Sequence, residues 1–290
     1  MLNFVSSFKS TVFYFMKKAK VLFVSQEITP YVEANHHSTI GRYLPQGIQE
    51  KGKEIRTFMP RYGLINERRN QLHEVIRLSG MNIIIDDTDH PLIIKVASIQ
   101  SCRMQVYFID NEEYFQRKAL IKDADGNFFE DNDERSIFFC RGVIETVRKL
   151  GWAPDIIHCN GWMTAALPVL VKKVFREDPI FADTKVVYTL FDDAFGNELN
   201  KKYGQKLQMT GIHDKDIEKL KTPSHINLSR FAMDYSDGVI QGSSSLPAEL
   251  QKYMKNLNKP VLGFQDPENY IEAYNNFYDL VMEESTALVE

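Results

Sequence analysis

Short apolar segments alternate with amphipathic helical patterns along most of this 290-residue chain. The segments are rich in Val, Ile and Phe and lack polar alternation, which is typical of strands buried on both faces. Strands that alternate with helices favour a parallel sheet covered by helices on both sides. The sequence therefore predicts an α/β fold. The predicted strands span residues 21–24, 55–59, 92–97, 104–109, 156–158, 186–190 and 238–241.

The intervals between these strands carry helical patterns. The clearest covers residues 133–150, whose apolar residues form one stripe that stops before Gly151. A last helix is predicted at residues 267–284, after a short strand at 259–263. Its apolar side consists of Tyr270, Ile271, Tyr274, Phe277, Tyr278 and Val281. The other predicted helices span residues 39–51, 162–175 and 224–235.

Two regions depart from this alternation. Closely spaced apolar segments between residues 71 and 109, with a turn in 86–91, predict a β-rich, antiparallel insertion. Residues 198–223 are rich in Lys and Gln and are expected to form an exposed excursion. No linker composition is found, so we expect residues 16–290 to form one domain, with 264–290 as its terminal helix and tail.

The first residues of the chain resemble neither a signal peptide nor a membrane span. Their apolar stretch is interrupted by Lys9, and the pair Lys17-Lys18 follows it rather than precedes it. "MKKAKVLFVS" has the form of an ordinary start leading into a buried strand. We therefore interpret residues 1–15 as a disordered or mis-called extension, with translation starting at Met16.

Composition excludes several classes of function. The formal net charge of −4 gives no electrostatic basis for binding nucleic acid. The cysteines Cys102, Cys140 and Cys159 are odd in number and include no C-x-x-C. This pattern predicts reduced cysteines in a cytoplasmic protein, rather than a disulfide framework or a structural zinc site. We predict no metal, no cofactor and no membrane association.

Five segments occur in the order seen in bacterial glycogen synthases and plant starch synthases. They are "KAKVLFVSQEITPY", "GRYLPQGIQEKGKEIRTFMPRYG", "PDIIHCNGWMTAALPVLV", "KVVYTLFDD" and "YSDGVIQGSSS". From Lys20 to about Ser245 the chain resembles the N-terminal half of that family. The resemblance implies a GT-B glycosyltransferase half with a Rossmann-like, doubly wound sheet. The family activity is transfer of glucose from ADP-glucose to an α-1,4-glucan.

The resemblance also implies what this chain would lack. The family has a second, donor-binding domain, and too few residues follow Ser245 to form it. We expect the predicted helix at residues 267–284 to imitate a C-terminal helix that crosses back onto the first domain in the complete enzymes. A half-length form would need a separate chain to supply the donor domain.

The loop after the first strand differs from the family pattern Lys-Thr-Gly-Gly-Leu-Ala-Asp. The aligned residues run from Glu33 to Thr39, so an anion replaces the cation and neither glycine remains. A departing diphosphate requires cations and close backbone donors. Side chains at the glycine positions keep the backbone away from a ligand. We expect His36 and His37, which lie in this loop, to face solvent.

Two further motifs carry substitutions. Where the family has His-Ala-His-Asp-Trp-His, this chain has "HCNGWM", which retains His158 and Trp162 and places Gly161 at the Asp. Trp162 either stacks on a glucose ring or packs between helix and sheet. At the family His-Asn pair, Phe191 and Asp192 stand instead. Asp192 and Asp193 are either an acid/base pair or a turn at a strand end.

These substitutions leave three hypotheses for function. The first is a glucosyltransferase that needs a partner chain. The second is a non-catalytic module that binds glucan or nucleotide-sugar, and the third is a scaffold subunit of a glycosyltransferase complex. Unaided catalysis is not expected, since the family catalytic positions are changed at Glu33, Gly161 and Phe191. Open α/β sheets bind ligands at the carboxyl ends of their strands. The ligand-binding residues predicted there are Glu27, Tyr31, His158, Asn160, Trp162 and Asp192.

Overall fold

A computed structural model describes residues 18–196 and 198–283. The extension proposed for residues 1–15 lies outside the described residues, as does Glu284. In chain order the strands are β1 (Lys20–Ser25), β2 (Glu54–Pro60), β3 (His73–Glu74), β4 (Met81–Ile85), β5 (Thr88–Ile99), β6 (Met104–Asp110), β7 (Ile156–Asn160), β8 (Lys185–Leu190), β9 (Gly238–Gln241) and β10 (Val261–Leu262). The helices are α1 (His36–Glu50), α2 (Glu112–Phe115), α3 (Asn132–Leu150), α4 (Leu167–Val169), α5 (Tyr203–Leu207), α6 (His225–Tyr235), α7 (Ala248–Lys255) and α8 (Tyr270–Glu283).

The strands form a mixed sheet in the order β10-β9-β8-β7-β1-β2-β6-β5-β3, with β4 paired to β5. All neighbours from β10 to β6 are parallel, whereas β3, β4 and β6 each pair antiparallel with β5. Successive strands are added on both sides of β1, so the sheet is doubly wound. The predicted α/β fold and the antiparallel insertion are both confirmed.

Alternate side chains of β1 enter two different layers of core. Val21 and Phe23 belong to a cluster with apolar residues of α1 and α8. Leu22 and Val24 belong to a larger cluster on the other face, which contains residues of α3 and α6. Because successive residues of a strand point to opposite faces, this division explains why the strands show no polar alternation.

The predicted terminal helix is present as α8 and covers the face that α1 covers. Five of its six predicted apolar residues are buried, and the sixth, Ile271, packs against the same cluster. Polar contacts at its exposed edge add to this packing. Lys51 pairs with Glu272, and the Nζ of Lys53 lies 2.8 Å from Asp279 Oδ1. Helix α8 is therefore an integral layer of the fold.

Two local predictions were wrong. Residues 162–175 do not form one helix but a 3-10 turn (Trp162–Thr164), α4 and a π-helical segment (Leu170–Val174). Pro168 has no N–H to donate to an earlier carbonyl, which accounts for the break near it. Residues 198–223 are not an exposed excursion, because several of their side chains enter the main core. These are Leu199, Tyr203, Leu207, Ile212 and Leu220.

Candidate functional site

The carboxyl ends of β1, β8 and β9 and the start of α1 surround a pocket of about 230 Å³. This is the edge at which open α/β sheets bind ligands. We call it the strand-end pocket. Its lining residues come from three loops and from α1: Glu27, Asn35, His36, His37, Phe191, Asp192, Asp193 and Ser243.

The loop between β1 and α1 is fixed by its own side chains. Asn35 caps α1, since its Oδ1 accepts from the backbone N–H of Ser38 at 2.8 Å while Ser38 Oγ accepts from the backbone N–H of Asn35 at 2.9 Å. The Nδ2 of Asn35 donates to Glu27 Oε2 at 2.6 Å. The cap of α1 therefore holds the Glu27 carboxylate in the wall of the pocket.

His37 joins the altered motifs. Its ring stacks on Phe191, with centroids 4.1 Å apart and planes 13° from parallel. A Cβ at Gly161 would lie 2.3 Å from His37 Cε1, which is closer than atoms can approach. Gly161 also has a φ of +83°, a conformation that favours glycine. His37, from the loop after β1, thus fills the space beside Gly161 and rests on the phenyl ring of Phe191, so it brings the three altered motifs into contact.

The prediction that both loop histidines face solvent is wrong for His37. The residue is only 6% exposed, and burial lowers the pKa of its imidazole. Its ring nitrogens make no hydrogen bond within the described residues. The nearby backbone of Asn160 raises the pKa of the ring, but by less than burial lowers it. His37 is therefore a neutral packing residue at pH 7. His36 is exposed, and its Nε2 donates to the carbonyl of Gly242 at 2.7 Å.

The lining of the pocket is acidic. Glu27, Asp192 and Asp193 contribute carboxylates, whereas no Lys or Arg is found among the described lining residues. Glu33, the anion at the family cation position, is exposed and lies outside the lining. An anionic ligand would meet like charges here, and like charges at close range are destabilising.

Asp193 has a structural role. Its carboxylate accepts from the backbone N–H of Trp162 at 3.2 Å and lies 2.9 Å from His225 Nε2. It therefore ties the loop after β8 to the loop after β7 and to the start of α6. Asp192 is exposed, and its backbone N–H donates to Ser243 Oγ at 2.9 Å. These contacts favour the interpretation of the pair as a strand-end turn.

Of the six predicted ligand-binding residues, Glu27 and Asp192 line the pocket. The other four, Tyr31, His158, Asn160 and Trp162, are each at most 5% exposed and do not line it. Their role in binding stays a prediction.

Each of the four has partners inside the protein. Tyr31 packs edge-on against Phe108 at 4.8 Å, and Trp162 packs edge-on against Phe195 at the same distance. Asn160 donates to Ser25 Oγ at 3.2 Å. His158 lies beneath α8, with Tyr278 on one ring nitrogen and Thr189 on the other.

Sequence reasoning missed the contributions of Asn35, His36, His37, Asp193 and Ser243 to the pocket lining. The cap at Asn35 was detectable, since Asn is one of the residues preferred at the N-cap of a helix. Burial of His37 was not detectable from the loop alone, because the space that it fills exists only once Gly161 and Phe191 are brought beside it.

Comparison with known proteins agrees with this fold. The model of the starch synthase catalytic domain matches residues 20–260. The chain belongs to the starch synthase catalytic domain family. Among curated relatives, it is 41% identical to the glycogen synthase of Chlorobium limicola over 189 residues, covering 65% of this chain and 39% of that protein. It is 34% identical to the glycogen synthase of Chlorobaculum parvum over 232 residues, covering 80% and 47%.

A solved structure confirms the fold of this starch synthase domain. The catalytic domain of starch synthase IV from Arabidopsis thaliana, bound to ADP and acarbose, superposes with a TM-score of 0.64 at 17% identity. The match covers 86% of this chain and 52% of that one. The chain thus spans about half the length of the proteins that it matches.

The cysteines, possible metal ligands and helix hydropathy of this starch synthase domain were also compared with the predictions. Cys140 and Cys159 are buried, and burial raises the pKa of both thiols. Within residues 18–196 and 198–283, no group of three or more His, Cys, Asp or Glu residues is arranged to hold a metal ion. No helix of that same part of the chain is long and apolar enough to cross a membrane.

Proposed function

We propose that this 290-residue chain binds α-glucan at the strand-end pocket and does not by itself transfer glucose from ADP-glucose. The contact between His37 and Phe191 carries this proposal. It puts two neutral rings in the pocket lining: Phe191 stands where the family has a His, and His37 lies against Gly161, where the family has an Asp.

The charge of the pocket argues against handling of a pyrophosphate. Breaking the bond between glucose and ADP develops negative charge on the leaving group, and cations or aimed N–H donors must stabilise that charge. Three carboxylates in the lining would oppose it. Loss of one aimed donor costs about 3 kcal/mol of barrier in enzymes of other classes. Here both the loop cation and the family His are replaced.

The same lining suits a neutral sugar. Glucose hydroxyls are donors, and the Glu27 and Asp192 carboxylates are acceptors at the pocket wall. Asn35 and Ser243 add groups that both donate and accept. Hydrogen bonds to charged acceptors are about twice as strong as neutral ones. A glucan therefore gains contacts in this pocket without bringing an opposing charge.

Two measurements on the purified chain test the proposal. Maltohexaose should shift backbone amide signals around Glu27 and Asp192 saturably in NMR spectra, and glycogen should retard the protein in a native gel. ADP release from ADP-glucose and glycogen should stay at the rate without protein. ADP release above that rate would show that the chain transfers glucose by itself and would refute that part of the proposal. Absence of saturable shifts would refute glucan binding.

A matched pair of variants locates the binding. Asp192→Asn removes one charge from the wall of the pocket, whereas Asp89→Asn makes the same change at an exposed position of β5, outside it. We expect maltohexaose to bind Asp192→Asn about three- to tenfold more weakly, since a charge-assisted hydrogen bond becomes a neutral one. Asp89→Asn should bind as the parent does. Equal affinities for both variants would place the glucan elsewhere.

The proposal extends to a partner and a location. A second polypeptide that supplied a donor domain would have to bring the cations that the lining lacks, and co-purification from source cells tests for it. We place the protein in the cytoplasm, where reduced cysteines are the norm. A scaffold without a carbohydrate role would show no shift with maltohexaose.

A further inference from the structure

A second depression lies at the opposite edge of the sheet, where β2 and β6 begin. It has a volume of about 220 Å³. Its lining is rich in side-chain donors: Gln49, Arg56, Arg103, Gln105 and Tyr107 contribute to it, together with Glu54, Ile55 and Met104. We call it the strand-start depression. It shares no lining residue with the strand-end pocket.

Arg56 is held in place with donors to spare. Its guanidinium lies 5.1 Å from the Trp152 ring and 5.8 Å from the Tyr107 ring. Its Nη1 donates to the Tyr107 hydroxyl at 2.8 Å, while its buried Nε has no hydrogen-bond partner among the described residues. A guanidinium has five N–H donors in a planar fork that matches phosphate. The aromatic contacts fix the position of this fork before any ligand arrives.

The other charges of the depression leave a positive balance. Arg103 is exposed and immediately precedes β6, in a left-handed backbone conformation with φ +55°. Glu54 is the single carboxylate of the lining, and its Oε1 accepts from the Trp152 indole N–H at 2.5 Å. Two guanidinium groups and two primary amides therefore face one carboxylate that already has a partner.

We propose that the strand-start depression binds a small phosphate-type anion, either free phosphate or a phosphate monoester. Arg56 and Arg103 supply the charge, and Gln49 and Gln105 supply neutral donors. Arginine recognises phosphate through paired, charge-assisted hydrogen bonds, which are the strong class in proteins. Ile55, Met104 and Tyr107 provide an apolar wall for the carbon part of a monoester.

The chain offers a built-in reporter for this site. It has only two tryptophans, and the indole N–H of Trp152 donates to Glu54 while the Trp152 ring lies 5.1 Å from the Arg56 guanidinium. Trp162 is buried at the other edge of the sheet. In 15N-edited NMR spectra, inorganic phosphate should shift the Trp152 indole signal saturably and leave that of Trp162 unchanged. A parallel titration with glycerol 3-phosphate distinguishes a free anion from a monoester.

Two variants of equal charge separate the site from general electrostatics. Arg103→Asn removes a cation from the depression and keeps a residue that tolerates left-handed backbone. Arg77→Asn removes a cation from the exposed surface outside it. Arg103→Asn should weaken binding about tenfold or more, since a charged contact to phosphate is lost, and Arg77→Asn should not.

Saturable binding of either probe supports the site. The probe that binds more tightly shows whether the ligand is free phosphate or a phosphate monoester. Absence of a saturable Trp152 shift with both probes would overturn the proposal. Equal weakening of phosphate binding by Arg103→Asn and Arg77→Asn would also overturn it, because the effect would then come from overall charge.

Discussion

Tyr278→Phe tests how α8 is attached to the sheet. The Tyr278 hydroxyl lies 2.7 Å from Nδ1 of His158, whose Nε2 lies 2.6 Å from Thr189 Oγ1. Burial lowers the pKa of His158 from 6.5 to about 3, so the ring is neutral at pH 7 and carries one N–H. We assign Tyr278 as the donor to Nδ1 and Nε2–H as the donor to Thr189, since a phenol is a stronger proton donor than an imidazole N–H. One hydroxyl links the terminal helix to the centre of the sheet.

The cost of the substitution follows from burial at both ends of this bond. Tyr278 and His158 are each 0% exposed, so water cannot replace the missing donor. A net hydrogen bond is worth about 1 kcal/mol, and an unsatisfied buried acceptor costs about 1–3 kcal/mol. Phe keeps the ring and its packing, so no cavity is created. We expect the free energy of unfolding to fall by about 2 kcal/mol.

Urea unfolding at pH 7 measures this loss, with the slope of free energy against urea used to check that the exposed surface is unchanged. Tyr43→Phe is the matched control, because Tyr43 is 49% exposed and the same deletion there should leave stability within about 0.5 kcal/mol. If the two variants lose equal stability, the hydroxyl of Tyr278 does not anchor α8 and our assignment of donors is wrong.

Three further predictions concern stability. Below pH 6.5 the unfolded chain protonates His158, whereas the folded chain does so only near pH 3. As the pH is lowered from 6.5 to 3, the free energy of unfolding measured with urea should therefore fall by up to about 1.4 kcal/mol per pH unit. A free energy that does not change over this range would contradict burial of the neutral ring. Gly161→Ala should lower the free energy of unfolding by about 2 kcal/mol or more, because its Cβ would strike His37, and an unchanged melting temperature would refute that contact. Asp193→Asn should cost about 1–2 kcal/mol by weakening the acceptor of two contacts, measured by urea unfolding, with no change in ADP release.

The framework of the fold was predictable because its signals are local. Buried strands without polar alternation, a Gly after α3 and a strongly apolar last helix each identify an element without reference to its neighbours. Residues 198–223 were misjudged for the converse reason. Their Lys and Gln content suggested solvent, but a few spaced apolar side chains, such as Tyr203 and Leu220, are enough to anchor the segment in the core.

The candidate site was predictable only in part. Glu27 and Asp192 lie in the lining, because the ends of parallel strands meet at one edge, and their role in binding stays a prediction. Tyr31 and Trp162 were expected at the same edge, yet both rings turn into the core. Sequence position fixes where a backbone arrives, whereas the direction of a side chain depends on the space that other segments leave for it.

The altered motif positions are best understood as one change rather than as separate losses. His37 requires Gly161, since any side chain there would overlap its ring, and it rests on Phe191, which presents a flat apolar surface where the family has a His. Restoring a polar residue at 161 alone would displace His37, and restoring a His at 191 alone would place two imidazoles in contact. Neither single reversal rebuilds a polar site. The other two of the three residues His37, Gly161 and Phe191 still determine the space that is left. The stability effects of changes at these positions should therefore be strongly non-additive, as expected for residues in direct contact.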